Sequence, residues 1–490
     1  MRAASPRRER VIHWFRSDLR LHDNRALAAA AARAAEIALL FVLDEQLLAG
    51  ESVGPPRRRF LMSSLRRLAA DLAARGHRLR VRRGDPAELV PALARQLRAD
   101  RITWNRDDGS YARRRDAAVR AAAARAGVAV EEHKDRVVFE SAELRTRAGG
   151  AFRVYTPFRD AWWARLREDP QPPSGPLRLP APLPAGASEV QEPLVDRDVE
   201  RGELPAPGEA AALRRLDRFL SGAAADYAEL RDRPDLDATS RLSPYLRFGA
   251  LSIRCCVQRG LERMRAEPRA ARGVRKWLDE LVWREFYHAV RAEHPDLRRR
   301  SLRPELDALR WEEDEAGFEA WCRGETGFPF VDAAMRQLAE TGWVHNRARM
   351  VAAGFLTKDL GIDWRRGERF FMQRLVDGDP ASNAGGWQWA ASTGTDAQPW
   401  HRIFNPVLQG ERFDPGGHYV RRFVAELRRC DDRFVQRPWQ ASPPPSGYPR
   451  PLVDHAERRM GALRRFEALR RRARAKKSHG RRPSRASSPD

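Results

Sequence analysis

The first 135 residues alternate short runs of β-branched and aromatic residues with longer stretches of Ala, Leu and Arg. These runs predict strands at 11–15, 37–43, 79–81, 102–104 and 128–130. Residues 59–74 repeat apolar positions at helical spacing, which predicts an amphipathic helix between two of the strands. Because strands and helices alternate, we predict an α/β domain with a parallel, doubly wound sheet that binds ligands beyond the carboxyl ends of its strands.

The rest of the pattern predicts a linker, a helical domain and a basic tail. Ten prolines lie between Pro170 and Pro207 with few apolar positions among them, which is typical of an extended connector. From about Glu209 to Leu469 apolar positions recur at helical spacing, and β-branched runs disappear. We therefore predict an α/β domain at 10–135, a long interdomain linker at 136–208, a mostly α-helical domain at 209–455, and a basic helix with a disordered tail at 456–490.

The formal net charge of +24 favours a polyanionic partner, nucleic acid first. Composition limits that inference. Only five of the 91 basic residues are Lys and the other 86 are Arg, a bias that a GC-rich coding sequence also produces. Residues 456–490 contain 13 basic and three acidic residues, so a surplus of ten positive charges lies in the predicted tail.

Other features exclude whole classes of protein. Four Cys without a CxxC pair argue against a disulfide scaffold or a Cys-ligated zinc ion, and we predict no metal site. No apolar run reaches the roughly 18 residues that a membrane span needs. The basic start, Met1–Arg10, leads into a predicted strand rather than a signal-peptide core. We therefore expect a soluble, cytoplasmic protein, and the GxGxxG, P-loop and HExxH motifs are absent.

Tryptophan is concentrated in the helical region, where nine of the 14 residues lie between Trp277 and Trp400. Any single Trp is most simply explained as part of a helical core. The concentration also suggests an aromatic ligand or a redox path, because indole is a flat stacking surface and can be oxidised by one electron.

The segment Arg275–Tyr287 predicts a helix with Trp277, Glu280 and Arg284 on one face and Trp283 beside them. A carboxylate between two indoles would be desolvated, which would raise the pKa of Glu280 and let it donate a hydrogen bond. The alternative is an exposed Glu on an ordinary amphipathic helix.

Two further clusters combine polar and aromatic residues. In the first, residues 342–350, Asn346, Arg349 and Met350 share a helical face and offer an amide, a guanidinium and a thioether to one ligand. In the second, residues 377–389, small residues let the backbone approach a ligand, two Asp and an Asn supply polar contacts, and two Trp flank them. A polar interhelical loop with core Trp is the alternative for this second cluster.

Three stretches, residues 13–24, 342–350 and 385–396, resemble the photolyase/cryptochrome flavoprotein family, most closely its class I cyclobutane pyrimidine dimer photolyases. The resemblance runs from about residue 10 to 455. It implies an α/β antenna domain, a long linker and a helical domain that binds FAD. The partition predicted above agrees with this organisation.

The resemblance implies which residues contact FAD. Asn383 stands where the family places the residue that faces flavin N5, and an amide there is typical of photolyases, whereas plant cryptochromes tend to carry Asp. Ala384 departs from relatives that carry a second Asn. The implied FAD contacts are Tyr227, Thr239, Ser240, Arg241, Leu242, Ser243, Trp277, Glu280, Asn346, Arg349, Asp377, Gly378, Asp379 and Asn383.

The resemblance also implies a pocket for a flipped pyrimidine dimer, formed by Glu280, Trp283, Asn346, Met350 and Trp389. Glu280 would hydrogen-bond the thymine carbonyls and stabilise the charge that follows electron transfer. The pair His345-Asn346 favours dimer repair, because (6-4) photolyases typically show two consecutive His. The residues implied to hold DNA around the pocket are Arg231, Arg284, Arg347, Arg402 and Gln409.

Trp311, Trp364 and Trp387 match the electron chain through which the family photoreduces oxidised FAD. For a second, antenna chromophore, Asp44, Asn105 and Asp107 lie on the predicted strand-end loops. These loops are more similar to the branch that binds 8-hydroxy-5-deazaflavin than to the one that binds methenyltetrahydrofolate.

The implied activity is that of a deoxyribodipyrimidine photo-lyase, a carbon–carbon lyase that acts on UV-damaged DNA, and we expect a monomer. Two alternatives remain. A cryptochrome-like blue-light receptor is favoured only by the basic tail, and a DNA-binding module without catalysis does not explain Glu280, Asn383 and the Trp series together.

Overall fold

The computed structural model describes residues 9–50, 53–175, 177–184, 204–396 and 399–479. These residues form two compact units. The first contains those up to Pro295 together with Leu338–Trp343 and Phe371–Asn383. The second contains Asp296–Gln337, Val344–Phe370 and those from Ala384 onward.

The first unit contains a parallel sheet with strand order β3-β2-β1-β4-β5. A short sixth strand pairs with the start of β2. The strands are β1 Glu9–Phe15, β2 Ala34–Asp44, β3 Leu79–Gly84, β4 Arg101–Asn105, β5 Ala129–His133 and β6 Ala181–Pro182. The five predicted strands and the predicted parallel sheet are thus confirmed.

Eleven helices belong to the described part of this unit. They are α1 Arg25–Arg33, α2 Glu45–Leu48, α3 Pro55–Ala73, α4 Pro86–Gln96, α5 Ser110–Arg125, α6 Tyr155–Glu168, α7 Glu209–Ser221, α8 Tyr227–Leu230, α9 Ser243–Phe248, α10 Ile253–Ala266 and α11 Ala271–Glu293. The helix predicted at 59–74 is confirmed as α3, which begins four residues earlier because Pro55 and Pro56 suit the first helical turn.

Strands β1 and β2 are buried on both faces along most of their length, which is why these two strands read as nearly continuous apolar runs. Ile12 and Trp14 of β1 pack with Ile102 and Trp104 of β4 in one core. The indoles of Trp14 and Trp104 meet edge to face, with ring centroids 5.6 Å apart. Chain order reverses between β1 and β4, so the loops that follow these two strands lie side by side at the ligand-binding edge predicted from the sequence.

The helical character predicted for the C-terminal region is confirmed. Its further helices are α12 Glu315–Arg323, α13 Pro329–Thr341, α14 Asn346–Gly354, α15 Trp364–Arg374, α16 Pro380–Ala391, α17 Pro406–Phe413, α18 His418–Phe423 and α19 His455–His479. A π-helical turn, Phe355–Asp359, follows α14. The basic helix predicted from Ala456 is α19, whereas the predicted disordered tail at 480–490 lies outside the described residues.

The segment predicted as a linker at 136–208 contains ordered elements. Its first part holds α6, whose Trp162 Nε1 donates to Glu285 of α11 at 2.7 Å. The same carboxylate accepts the backbone N–H of Val138 at 2.6 Å. Residues 176 and 185–203 of this segment lie outside the described residues, and the predicted domain limits stay predictions.

Within the described residues, no helix combines the length and the apolar character that crossing a membrane requires. Nor does this part of the chain bring three or more His, Cys, Asp or Glu side chains into an arrangement that could hold a metal ion.

Candidate functional site

Helix α11 carries four of the predicted site residues. Trp277 is buried, and its indole lies 5.3 Å from the ring of Phe219 in α7. Trp283 stacks on Tyr155 of α6, with ring centroids 3.7 Å apart and planes inclined by 9°. The indoles on either side of Glu280 are therefore held by aromatic neighbours on two other helices.

The environment of Glu280 differs from the one expected from the sequence, which was a desolvated carboxylate between two indoles. It forms an ion pair with Arg231, and its Oε1 lies 3.5 Å from Nζ of Lys276 one turn earlier in α11. A quarter of its side chain is exposed. Arg231 follows α8, so folding brings a cation to Glu280 that the local sequence does not reveal.

The predicted phosphate loop, residues 239–243, is held from two sides. Arg215 of α7 donates to the carbonyl oxygens of Ser240 at 2.9 Å and Thr239 at 3.2 Å. Trp343 Nε1 donates to Ser243 Oγ at 3.3 Å, and the Arg241 guanidinium lies 5.1 Å from the Trp343 ring centroid. The sequence analysis missed Arg215, and it singled out the cluster 342–350 without assigning Trp343 to this loop, because both residues act through contacts that are distant in the chain.

Buried Tyr227 begins α8, where its ring lies 5.7 Å from that of Phe219. Arg241 has a positive φ of 49°, which marks a turn of the backbone between Ser240 and Ser243. Three hydroxyls and one guanidinium are a donor set that fits a pyrophosphate.

The loop 377–379 is held by two arginines. The carbonyl oxygen of Gly378 accepts hydrogen bonds from Arg57 Nη1 at 2.8 Å and Arg247 Nε at 3.0 Å. Arg57 is almost fully buried, and a Cβ atom at Gly378 would lie 2.5 Å from its Nη1. Glycine at this position leaves room for the close approach of the Arg57 guanidinium.

Asp379 is a buried residue that immediately precedes α16. Its Oδ1 accepts the backbone N–H groups of Ala381 at 2.9 Å and Ser382 at 3.1 Å, and its Oδ2 accepts from Arg136 at 2.8 Å. Burial alone would raise the pKa of Asp379, but the charges of His288, Arg136, Arg247 and Arg284 outweigh it and lower the pKa far below the usual range. Asp379 thus stays ionised.

Asn383 lies in the first turn of α16, where its backbone N–H donates to the carbonyl oxygen of Asp379 at 2.8 Å. The next residue, Ala384, is fully buried. Asp377, Asp379 and Asn383 offer two carboxylates and an amide, groups that suit the N–H and carbonyl positions of a flavin ring.

In the second unit, α14 presents the predicted lesion contacts. Asn346 Nδ2 lies 3.6 Å from Met350 Sδ, one helical turn away, so amide and thioether share a face as predicted. Arg349 Nε donates to the carbonyl oxygen of Val344 at 2.7 Å. Buried His345 begins the helix, and its Nδ1 accepts the backbone N–H of Arg347 at 3.2 Å.

The other predicted DNA contacts of this unit surround Phe404 and α17. The Arg347 guanidinium lies 4.4 Å from the ring centroid of Phe413. Trp389 lies 6.5 Å from Phe404, centroid to centroid. Arg402 is exposed, and Gln409 is half-buried in α17.

The predicted electron-chain residues differ in exposure. Trp364 and Trp387 are buried, whereas Trp311 is half-exposed and packs with Trp400 against a small core that includes Phe466 of α19. Trp387 also has an indole neighbour that the sequence did not single out. Trp321 meets it nearly edge to face, with ring centroids 6.0 Å apart.

The predicted antenna residues lie at strand ends and make bonds within the first unit. Asp44 accepts from the hydroxyl of Tyr111 at 2.6 Å. Asn105 Nδ2 donates to Asp18 at 2.6 Å, and Asp107 accepts from Arg136 at 2.9 Å. These contacts order the loops, and the assignment to an antenna stays a prediction.

The predicted residues are divided between the units. The first unit contains Tyr227, residues 239–243, Trp277, Glu280, Trp283, Arg231, Arg284, Asp377, Gly378, Asp379 and Asn383. The second contains Asn346, Arg347, Arg349, Met350, Trp389, Arg402, Gln409 and the three electron-chain Trp. Their individual roles stay predictions.

Comparison with known proteins identifies the family. A model described as the FAD binding domain of DNA photolyase matches residues 277–468, and one described as DNA photolyase matches residues 11–177. A protein from Synechococcus named deoxyribodipyrimidine photo-lyase is 40% identical over 470 residues, which are 94% of this chain and 96% of that protein. This chain belongs to the DNA photolyase family.

Solved structures of photolyase-family proteins agree with the fold. A bacterial class III photolyase from Agrobacterium tumefaciens superposes with a TM-score of 0.87 at 37% identity, covering 96% of this chain and 99% of that one. A cryptochrome from Synechocystis superposes with a TM-score of 0.84 at 27% identity, covering 95% and 100%. The photolyase-family chain therefore has the predicted combination of an α/β region and an FAD-binding helical region.

Proposed function

We propose that this chain is a light-driven photolyase that splits cyclobutane pyrimidine dimers in DNA. The main support for this proposal is helix α11, in which Glu280 lies between Trp277 and Trp283 in the sequence and its carboxylate is paired with Arg231. The dimer activity in the name of the Synechococcus relative, at 40% identity, supports the same reaction. When bound and reduced, FAD supplies on illumination the electron that opens the dimer.

The protein residues bind the lesion and stabilise charge. Trp283 and Trp389 offer indole surfaces to a dimer flipped out of the duplex, where a damaged pair costs least to open. The cluster of Glu280, Arg231 and Lys276 places hydrogen-bonding groups of both signs in one position. Such a cluster can hold the base edge and stabilise negative charge that appears on a pyrimidine carbonyl.

The residues proposed to bind FAD are the hydrogen-bonding groups described above. The loop 239–243 would hold the pyrophosphate, and Asp377, Asp379, Asn383 and Arg349 would hold the flavin. An amide at Asn383 supports a photolyase rather than a receptor. Arg231, Arg284, Arg347, Arg402 and Gln409 would contact the DNA around the lesion, where backbone contacts fix register without reading sequence.

A second chromophore is proposed at the strand-end loops that contain Asp44, Asn105 and Asp107, with 8-hydroxy-5-deazaflavin favoured over methenyltetrahydrofolate. The absorption spectrum of the native holoprotein tests this assignment. An additional band beyond the flavin bands supports an antenna, its position separates the two chromophores, and a pure flavin spectrum contradicts the proposal.

A cryptochrome-like receptor is the second candidate, because the Synechocystis cryptochrome shares the fold over 95% of this chain. In that case light would change the flavin without repairing DNA.

A repair assay separates the two functions. The purified holoprotein is chemically reduced, mixed with a UV-damaged oligonucleotide and illuminated with blue light, and the remaining dimers are counted. We expect dimers to disappear and thymines to return. Glu280→Ala should lower the yield per absorbed photon, whereas Glu229→Ala, an exposed Glu paired with Arg272, should match the parent protein. Unchanged dimers in a preparation that contains reduced flavin would refute the proposed repair.

A further inference from the structure

Arg136 bridges two carboxylates that lie far apart in the sequence. Its Nη1 lies 2.9 Å from Asp107 Oδ2, in the loop after β4, and its Nη2 lies 2.8 Å from Asp379 Oδ2, at the start of α16. Only 9% of the Arg136 side chain is exposed. Two separate N–H groups of one planar guanidinium therefore fix the distance between the two loops.

Asp379 transmits this restraint to α16. Its other carboxylate oxygen accepts the N–H groups of Ala381 and Ser382, and its carbonyl oxygen accepts the N–H of Asn383. A shift of the Asp379 side chain would release two N–H groups of the first helical turn. The position of Asn383 thus depends on Asp379, which in turn depends on Arg136.

A second connection runs parallel to the first. His288 Nδ1 lies 2.7 Å from Asp108, and its Nε2 lies 3.7 Å from Asp379. The backbone of Arg136 is itself fixed, because Arg284 Nη1 donates to its carbonyl oxygen at 2.7 Å. Both connections join the loop after β4 to the start of α16.

We propose that Arg136 is a positioning residue for flavin binding, which holds Asp379 and the first turn of α16 in place and couples them to Asp107. The inference rests on the proposed function, because Asp379 and Asn383 are flavin contacts only there. Arg136 lies outside the clusters 342–350 and 377–389, in the segment predicted to be a linker. The sequence analysis therefore gave this residue no role.

The surroundings of Asp379 determine how the coupling depends on pH. The charged groups that face it are Arg136, Arg247, Arg284 and His288. Removing Arg136 takes away one of the cations that lower the pKa of Asp379, so the carboxylate will take up a proton at a higher pH than in the parent protein. The stabilisation that a carboxylate with a lowered pKa provides is lost as the pH falls through that pKa. In a variant without Arg136, this loss should therefore occur at a higher pH than in the parent protein.

Release of FAD from the holoprotein, followed by the rise in flavin fluorescence, tests the positioning role. Arg136→Gln should release FAD about tenfold faster at neutral pH, the scale expected for a lost charge-assisted hydrogen bond. Its acid-induced release should begin at a higher pH. Arg136→Lys should restore part of the retention, since an ammonium can bind one carboxylate but not both in fixed geometry. The matched control is Arg120→Gln, which removes an exposed Arg paired with Glu132. Release from Arg136→Gln that matches the parent at every pH would overturn the proposal.

A double-mutant cycle tests the bridge. Asp107→Asn should accelerate FAD release severalfold in the parent protein and have no further effect in Arg136→Gln. Equal effects in both backgrounds would show that Asp107 does not act through Arg136 and would overturn the coupling. The release assay contains no damaged DNA, so it tests the positioning role separately from repair. If the protein retains FAD through Arg136 but leaves dimers intact, the proposed repair is refuted and the positioning role stands. A protein that takes up no FAD would refute both.

Discussion

Gly367 of α15 lies directly against the indole of Trp387: a Cβ atom at Gly367 would be 2.1 Å from indole Cη2. No side chain separates the backbone of α15 from this ring, so the small residue determines how deeply the indole sits. Trp321 confines the same ring from another side. The position of Trp387, one of the three predicted electron-chain residues, is therefore set by close packing.

Gly367→Ala should displace Trp387, because the added Cβ would overlap the indole ring and the helix backbone cannot move by the required distance. We expect the unfolding free energy to fall by about 1–3 kcal/mol, the range for overpacked cores. Photoreduction of oxidised FAD, followed by absorbance under blue light, should slow. Gly461→Ala in α19 is the control, because its Cβ would meet only the flexible end of Arg464 at 4.0 Å. Normal photoreduction in Gly367→Ala would contradict this packing argument.

Trp387→Phe should abolish photoreduction, because phenyl is far harder to oxidise than indole while it keeps most of the packing. The chemically reduced variant should still split dimers, since in the proposed reaction the electron passes directly from the reduced flavin to the dimer. Trp439→Phe serves as the control, because Trp439 packs against Phe328 and is not one of the predicted electron-chain residues. Loss of repair in the chemically reduced Trp387 variant would place this indole in the repair step itself.

Arg254 stabilises the first unit through a buried ion-pair network. Its Nε lies 3.0 Å from Asp23 and its Nη2 lies 2.7 Å from Asp135, with all three side chains inaccessible or nearly so. Arg254→Leu should lower the unfolding free energy by about 3–5 kcal/mol, because it takes the paired cation from buried Asp23 and leaves Asp135 with Arg20 alone. Denaturant unfolding measures the change. Arg272→Leu, which removes a largely exposed Arg, should leave the midpoint almost unchanged. A similar small change in both variants would contradict the argument.

Lys358 makes stability depend on pH. Burial, helped by the charge of Arg465, lowers the pKa of Lys358 to about 7 from 10.5. Between these values the unfolded chain holds a proton that the folded chain has lost, so the unfolding free energy rises with pH. At about 1.4 kcal/mol per pH unit, the gain between pH 7 and 9 is roughly 2 kcal/mol.

Denaturant unfolding of the parent and of Lys358→Met at both pH values checks this contribution, since the variant should lack the rise. Lys276→Met, which removes a Lys that is 42% exposed, should keep it. An identical pH dependence in the parent and in Lys358→Met would refute the shift.

The sequence alone determined the strands, the helical region and the faces of α11 and α14. A strand buried on both sides is mostly apolar, and residues three or four apart on a helix share a face, so both features are local. The family motifs were recognisable for the same reason, since each motif is a short continuous stretch, and the resemblance they carry implied the candidate flavin and lesion residues.

The tertiary structure decided which charges meet. Arg231 and Glu280 are 49 residues apart, and Arg136 and Asp379 are 243 apart. No local pattern encodes such pairs in a chain with 86 Arg, because almost every carboxylate has a basic residue nearby in the sequence. Folding also placed helix α6 within the predicted linker, where its Trp162 found a partner in Glu285. The environment of each charged group depends on burial and on partners brought from distant segments, and only the folded chain supplies both.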